Sequence, residues 1–155
     1  MSLIFQKINN GYESDPNDSD PIVSVHNNDL TLLFNLNCIS YTQFTRGQKG
    51  KIVFNDCLMF RVGDPNDEGF YIDPKNPSKR NDSTWNYTDF PDLKMYNFYC
   101  VENSDWQDTF GPHAFTNKDL SRETENHGDY KHYLFMMKDA TFECIARFYQ
   151  EKLPV

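Results

Sequence analysis

Between His132 and Leu153 the chain reads HYLFMMKDATFECIARFYQEKL, its densest run of apolar and β-prone residues, and what this run becomes decides the fold class. Phe142, Cys144, Ala146 and Phe148 alternate with Thr141, Glu143, Ile145 and Arg147, the period-two pattern of a strand with one buried face. His132 to Met137 reads as a second strand, and Lys138-Asp139-Ala140 between them supplies a polar turn of hairpin length. A C-terminal helix from Ala140 competes, because Phe142, Ile145, Ala146 and Tyr149 also recur at helical spacing and Glu, Lys, Gln and Leu favour helix. The hairpin is the preferred reading.

The remainder of the chain is short apolar runs between turn signals. Leu3 to Ile8, Ile22 to His26 and Leu30 to Cys38 are expected strands, the third with Leu30, Leu32, Phe34, Leu36 and Cys38 on one face and Thr31, Leu33, Asn35 and Asn37 on the other. Tyr41 to Thr45 is expected to continue the sheet, and Arg46-Gly47-Gln48-Lys49-Gly50 then turns into a strand over Lys51 to Phe54. Leu58 to Val62, Phe70 to Ile72 and Leu93 to Val101 follow as strands, and Asn117 to Glu125 has the composition for one or two helical turns. Between Asp73 and Pro91 the pattern fails. Pro74, Pro77 and Pro91 argue for a long excursion, yet Trp85, Tyr87 and Phe90 are too apolar to leave wholly in water, so part of it is expected to pack back or meet a ligand. The pattern predicts one mainly β domain over residues 1–155: an antiparallel sheet, sandwich or partly open barrel with at most one or two short helices, an α+β arrangement staying open.

A chain of 155 residues can bury roughly 70% of its unfolded surface without a staple. Thirteen Phe, nine Tyr and two Trp supply the core, since each buried ring removes about 150–250 Å² from water. Twenty-three acids against fifteen bases leave a net charge of −8. Phosphate binding needs clustered Lys and Arg, and only Lys79-Arg80 approaches that, so nucleic acid is not an expected partner; a basic protein is. Cys38, Cys57, Cys100 and Cys144 each sit in an apolar or strand-like run, as core cysteines do. Without a signal-peptide pattern or an apolar run near eighteen residues, the expectation is a cytoplasmic protein that does not enter the membrane.

Motifs of chemistry are scarce. Asp64-Pro65-Asn66-Asp67-Glu68-Gly69 matches the start of an EF-hand loop, but the twelfth position is Lys75 where a bidentate Glu is needed. The Asp15 to Asp20 loop has Asp20 in place of Gly and His26 in place of Glu. His113, His127 and His132 fall close together without a known zinc spacing. Cys100 or Cys144 with His132 could form a Cys-His pair, though cysteines alternating with Phe and Ala on a strand read as core. There is no G-x-S-x-G, P-loop, G-x-G-x-x-G or H-E-x-x-H, and plentiful Asp and Glu do not define a carboxylate pair. No catalytic residue, metal or cofactor is assigned. The surface expected to bind a partner is Trp85, Tyr87, Asp89, Phe90 and Asp92, with Asp105, Trp106 and Asp108, because Trp and Tyr dominate binding hot spots and acids speed encounter with a basic partner. The other class left open is a small-ligand binder or hydrolase with a pocket lined by Tyr and Phe.

His132-Tyr133-Leu134-Phe135, Asp139 and Thr141-Phe142-Glu143-Cys144-Ile145-Ala146 together resemble a C-terminal pattern, H-Y-x-F then D-x-x-F-E-x-x-A, of small and mostly uncharacterised bacterial proteins. Some such families are assigned as immunity proteins encoded beside polymorphic toxins. The resemblance implies a cytosolic antidote that binds a cognate toxin domain and performs no chemistry of its own.

Overall fold

In the computed structural model, residues 4–63, 93–103, 130–138 and 140–155 are described. They form nine strands: β1 (Ile4–Lys7), β2 (Ile22–His26), β3 (Asp29–Asn35), β4 (Lys49–Asn55), β5 (Met59–Gly63), β6 (Phe98–Glu102), β7 (Lys131–Met137), β8 (Ala140–Ala146) and β9 (Phe148–Lys152). All pairings are antiparallel. They build a five-stranded sheet in the order β1-β6-β7-β8-β5 and a four-stranded sheet in the order β2-β3-β4-β9. No helix occurs among the described residues. The predicted Phe70–Ile72 strand and 117–125 helical turns lie outside them.

Alternation placed the faces as expected. Leu30, Leu32 and Phe34 of β3 are fully buried while Thr31, Leu33 and Asn35 are half-buried, and Ile52 and Phe54 of β4 point the same way as the β3 core residues. These side chains meet the inner face of the five-stranded sheet in an aromatic core. Phe34 stands edge-on to Phe135 at 4.9 Å between ring centroids, and Phe54 lies 5.7 Å from Phe98, 5.4 Å from Tyr133 and 5.2 Å from Phe142. Such ring pairs contribute about 0.5–1.5 kcal/mol each beyond their buried area. The β2–β3 turn is Asn27-Asn28, both at positive φ (48° and 72°), the backbone of a primed two-residue hairpin that Asn tolerates.

The C-terminal run is a hairpin, β7 with β8, in the register Met137↔Ala140 to Lys131↔Ala146, and the competing helix from Ala140 does not form. The strand predicted to run on through Phe148 ends at Ala146 instead. After Arg147 the chain crosses into the other sheet, where β9 pairs with β4, so Phe148 leaves the face of Phe142, Cys144 and Ala146 and is 52% exposed. A second crossing, between β4 and β5 at Asn55 to Leu58, lies beside the first: Asp56 takes φ 52° and the Arg147 amide donates to the Asn55 carbonyl at 3.1 Å. The Arg147 guanidinium donates Nε to Asp56 Oδ2 at 2.6 Å and covers the Tyr130 ring at 4.6 Å, while Tyr130 donates its hydroxyl to the same Asp56 oxygen at 3.0 Å.

Other boundaries also moved. Tyr41 to Thr45 turns instead of extending the sheet, because the Asn37 side chain accepts the Ile39 and Ser40 amides at 3.0 and 3.1 Å and winds the chain out of β3. The predicted Leu93–Val101 strand begins only at Phe98, after a turn with Tyr96 at φ 69°. Lys49 and Gly50, expected in a turn, belong to β4. Gly50 is there for space: a Cβ at this position would lie 2.6 Å from both Phe34 Cζ and Leu153 Cδ2.

The sheets differ in their outer faces. β7 and β8 are buried on both sides, the outer one holding Leu134, Met136, Tyr99 and Val101 in one cluster and Tyr130 with Ile145 in another. The four-stranded sheet alternates buried and half-buried residues along β3 and β4, as a sheet with one solvated face does.

Candidate functional site

The outer face of the five-stranded sheet holds a charged group at a depth where charge is costly. Arg61 of β5 is directly opposite Glu143 of β8, and His132 of β7, opposite Ile145, sits diagonally from that carboxylate. Glu143 is 1% exposed and His132 4%. His132 Nε2 donates to Glu143 Oε1 at 3.0 Å, and Arg61 donates Nε to Oε2 at 3.1 Å with a second, shorter contact from its terminal nitrogen. Burial works to raise the Glu143 pKa, but the hydrogen bond and charge of His132, joined by Arg61, outweigh it and hold the carboxyl below the ordinary range. An ionised acid in apolar surroundings is thus stabilised by cross-strand partners on two neighbouring strands.

This geometry separates the residues of the Cys-His reading. Directly opposed residues share a face, and the register pairs Cys100 with Tyr133 and Tyr133 with Cys144, whereas His132 pairs with Val101 and Ile145. Both thiols therefore project to the inner, aromatic side and the imidazole to the outer side, so no Cys-His pair is assembled. Burial pushes the Cys100 thiol up and Cys144 well up, the opposite of nucleophile activation.

A second polar network closes the end of the sandwich where β6 begins. Asn9 donates Nδ2 to the Tyr12 carbonyl at 2.6 Å and to Asn97 Oδ1 at 2.8 Å, and accepts the Phe98 amide at 3.0 Å. Asn97 Nδ2 in turn donates to Glu13 Oε2 at 3.1 Å, and Asn37 Nδ2 to Glu13 Oε1 at 3.3 Å. Asn9, Asn37 and Asn97 are all buried. Sequence reasoning missed both networks. The one signal available was a polar side chain set among apolar neighbours, Arg61 in MFRVG and Glu143 in FECIA.

Two open clefts are formed by described residues. One, of about 340 Å³, is lined by Gln6, Cys100, Glu102, Tyr130, Lys131 and His132 among others. The other, of about 380 Å³, lies between Asp15, Asp18, Asn35 and Arg46. Tyr130 is the one Tyr, Phe or Trp side chain in these two linings. In the Asp15 to Asp20 loop, Asp15 Oδ1 accepts the Asn17 and Asp18 amides at 2.8 and 3.3 Å and Asp20 pairs with Lys49 Nζ at 3.2 Å, the bonding of a self-capped loop. Among the described residues no group of three or more His, Cys, Asp or Glu is arranged to hold a metal ion. His113, His127 and the Asp64–Gly69 loop lie outside them.

The eight residues expected at the partner surface, Trp85, Tyr87, Asp89, Phe90, Asp92, Asp105, Trp106 and Asp108, also lie outside the described residues. What the structure adds is where the charge is not. The described residues hold nine carboxylates (Glu13, Asp15, Asp18, Asp20, Asp29, Asp56, Glu102, Glu143 and Glu151) against ten Lys and Arg side chains. The sheets and their turns are thus nearly neutral, and the net acidity of the chain belongs to Asp139 and the sequences 64–92 and 104–129, which also hold both tryptophans. Comparison with protein-family models, with curated proteins and with solved structures found no match.

Proposed function

We propose that this chain is a non-catalytic binding domain for a basic protein partner, an immunity-type antidote acting in the cytoplasm, in which a nearly neutral β scaffold carries acidic, tryptophan-bearing segments. The observation behind this reading is the division of charge: nine acids and ten bases in the described strands and turns against a total of −8 for the chain. Acid concentrated in two stretches with Trp85 and Trp106 is the composition of an electrostatically steered contact with aromatic anchors. In the described scaffold the candidate nucleophiles Cys100 and Cys144 face away from the buried His132.

The test is titration calorimetry of the purified protein against a basic domain encoded next to it, at low and high salt. Binding that weakens steeply with salt, and falls about thirtyfold or more in Trp85→Ala or Trp106→Ala, is expected for hot-spot anchors worth about 2 kcal/mol. Absence of binding, or binding indifferent to salt and to both substitutions, overturns the proposal.

A further inference from the structure

The solvated face of the four-stranded sheet carries a charge arrangement that its own folding does not call for. By the registers, Thr31, Leu33 and Asn35 of β3, Lys49, Lys51 and Val53 of β4, and Phe148, Gln150 and Lys152 of β9 share that face. Lys51 stands directly opposite Lys152. Such a pair has its Cβ atoms about 5 Å apart, and like charges placed so are destabilising. Lys49, two residues along β4, is satisfied: it donates to Asn35 Oδ1 at 2.9 Å and to Asp20 Oδ2 at 3.2 Å. Lys51 and Lys152 have no ion-pair partner among the described residues. A lysine on a free edge deters unwanted strand pairing, which accounts for Lys152 but not for Lys51, because β4 is an interior strand.

β9 supplies the rest of a docking surface. It ends the order β2-β3-β4-β9, so one of its backbone edges pairs with no described strand, and all its residues except Tyr149 are exposed. On the lysine face it presents Phe148, 52% exposed, then Gln150, then Lys152. Ring and lysine are thus four residues apart, about 13 Å along an extended chain. We propose that the free edge of β9 takes up an extended acidic peptide as a further antiparallel strand, with a carboxylate opposite Lys152 and an apolar side chain opposite Phe148. Antiparallel pairing fixes the order within the ligand: Glu or Asp, three residues of any kind, then the apolar residue. Backbone hydrogen bonds to β9 provide general affinity, and these two side chains provide selection. Charge complementarity names the ligand class, because a carboxylate beside Lys152, with Lys51 about 10 Å away on the second strand over, relieves the like-charge opposition that the free protein carries. This surface is opposite in sign to the acidic contact proposed above and lies wholly on described strands, so its partner is a different one and its test does not depend on that contact.

The experiment titrates the isotope-labelled full-length protein with the capped heptapeptide Thr-Glu-Thr-Val-Thr-Leu-Thr, followed by amide NMR and hydrogen exchange. Saturable shifts are expected along Phe148–Lys152 and its neighbour Lys49–Asn55, together with slowed exchange of the β9 amides that face the free edge. Slowed exchange is the mark of an added strand, which a loose attraction to lysines would not produce. Lys152→Glu, at an exposed position, keeps its circular dichroism spectrum and binds this peptide roughly fivefold more weakly. The same variant is expected to prefer the peptide in which Lys replaces Glu, so that exchanging the two charges restores binding. The peptide with Ser in place of Leu is expected to bind the native chain more weakly, as loss of the contact with Phe148 requires. No saturable shift, shifts centred away from β9, unchanged exchange of the β9 amides, or equal binding of the Glu and Lys peptides by the native chain each overturns the proposal.

Discussion

Replacing Glu143 with glutamine removes the charge at the centre of the outer-face network while keeping its shape. Hydrogen bonds to a charged group contribute roughly 1.5–3 kcal/mol and neutral ones about 1, so converting the His132 and Arg61 contacts to neutral ones is expected to cost roughly 1–3 kcal/mol. Arg61 keeps 22% of its side chain in water, which damps its share. Arg61→Met leaves a 1%-exposed carboxylate short of a cation. Removing one partner of a buried pair costs about 3–5 kcal/mol, and the exposure of Arg61 puts the expectation near 3. Replacing Arg61, His132 and Glu143 together by apolar residues of similar size is expected to cost less than Arg61→Met alone, because the buried carboxylate is removed along with its cation. The pH dependence has a definite sign. The folded-state pKa of Glu143 is depressed, so its stabilisation is complete above the ordinary carboxylate value and is lost as pH falls through the lowered folded value. Urea unfolding followed by fluorescence, at neutral pH and then stepwise into acid, reads both effects. The gap between the native chain and Glu143→Gln is expected to be widest at neutral pH and to close in acid. A Glu143→Gln chain within about 0.5 kcal/mol of the native one, or a gap unchanged in acid, refutes the reasoning.

Two further substitutions probe the packing. Asn9→Ala strands the Phe98 amide and the Tyr12 carbonyl and takes the donor from Asn97 Oδ1, so a loss of roughly 2–4 kcal/mol is expected from urea midpoints, at about 1–3 per buried group left unsatisfied. Gly50→Ala drives a methyl group to 2.6 Å from Phe34 and Leu153, and the resulting overpacking is expected to cost about 1–3 kcal/mol by thermal melting, where an unchanged melting temperature would show that the Phe34 ring gives way freely.

The strands legible in the sequence were those with a single buried face or a short apolar run between strong turns. In β3, the alternation of Leu30, Leu32 and Phe34 with Thr31, Leu33 and Asn35 named both the element and its faces. In β8, alternation named the strand but promised one buried face where both are buried, and it carries on through Phe148 as if nothing happened at Arg147. A change of sheet leaves the period intact, so the crossing cannot be seen locally; it is specified by the Asn55 carbonyl and the Asp56 carboxylate, ninety residues earlier in the chain. The same limit hid the candidate site. Arg61 meets Glu143 only through the β5–β8 register, and register between strands so far apart is set by tertiary packing. Tyr41 to Thr45 misled for another reason: its residues suit a strand, but the Asn37 side chain turns the chain at Ile39 and Ser40, and the Phe44 and Thr45 amides then bond locally to the Tyr41 carbonyl and the Gln48 side chain. Net charge, a sum over the chain, could not say that the strands themselves are close to neutral.

The hairpin of β7 and β8 lies at the middle of its sheet, with β6 on one side and β5 on the other, and β9 completes the opposite sheet against β4. On the ribosome this means that the five-stranded sheet cannot close until residue 146 has been synthesised, since β1 with β6, and β5 by itself, have no interior neighbour to close upon. Until then the rings of Phe34, Phe54 and Phe98 lack their partners Phe135, Tyr133 and Phe142. Emergence as a nascent chain is therefore the stage at which these rings face water.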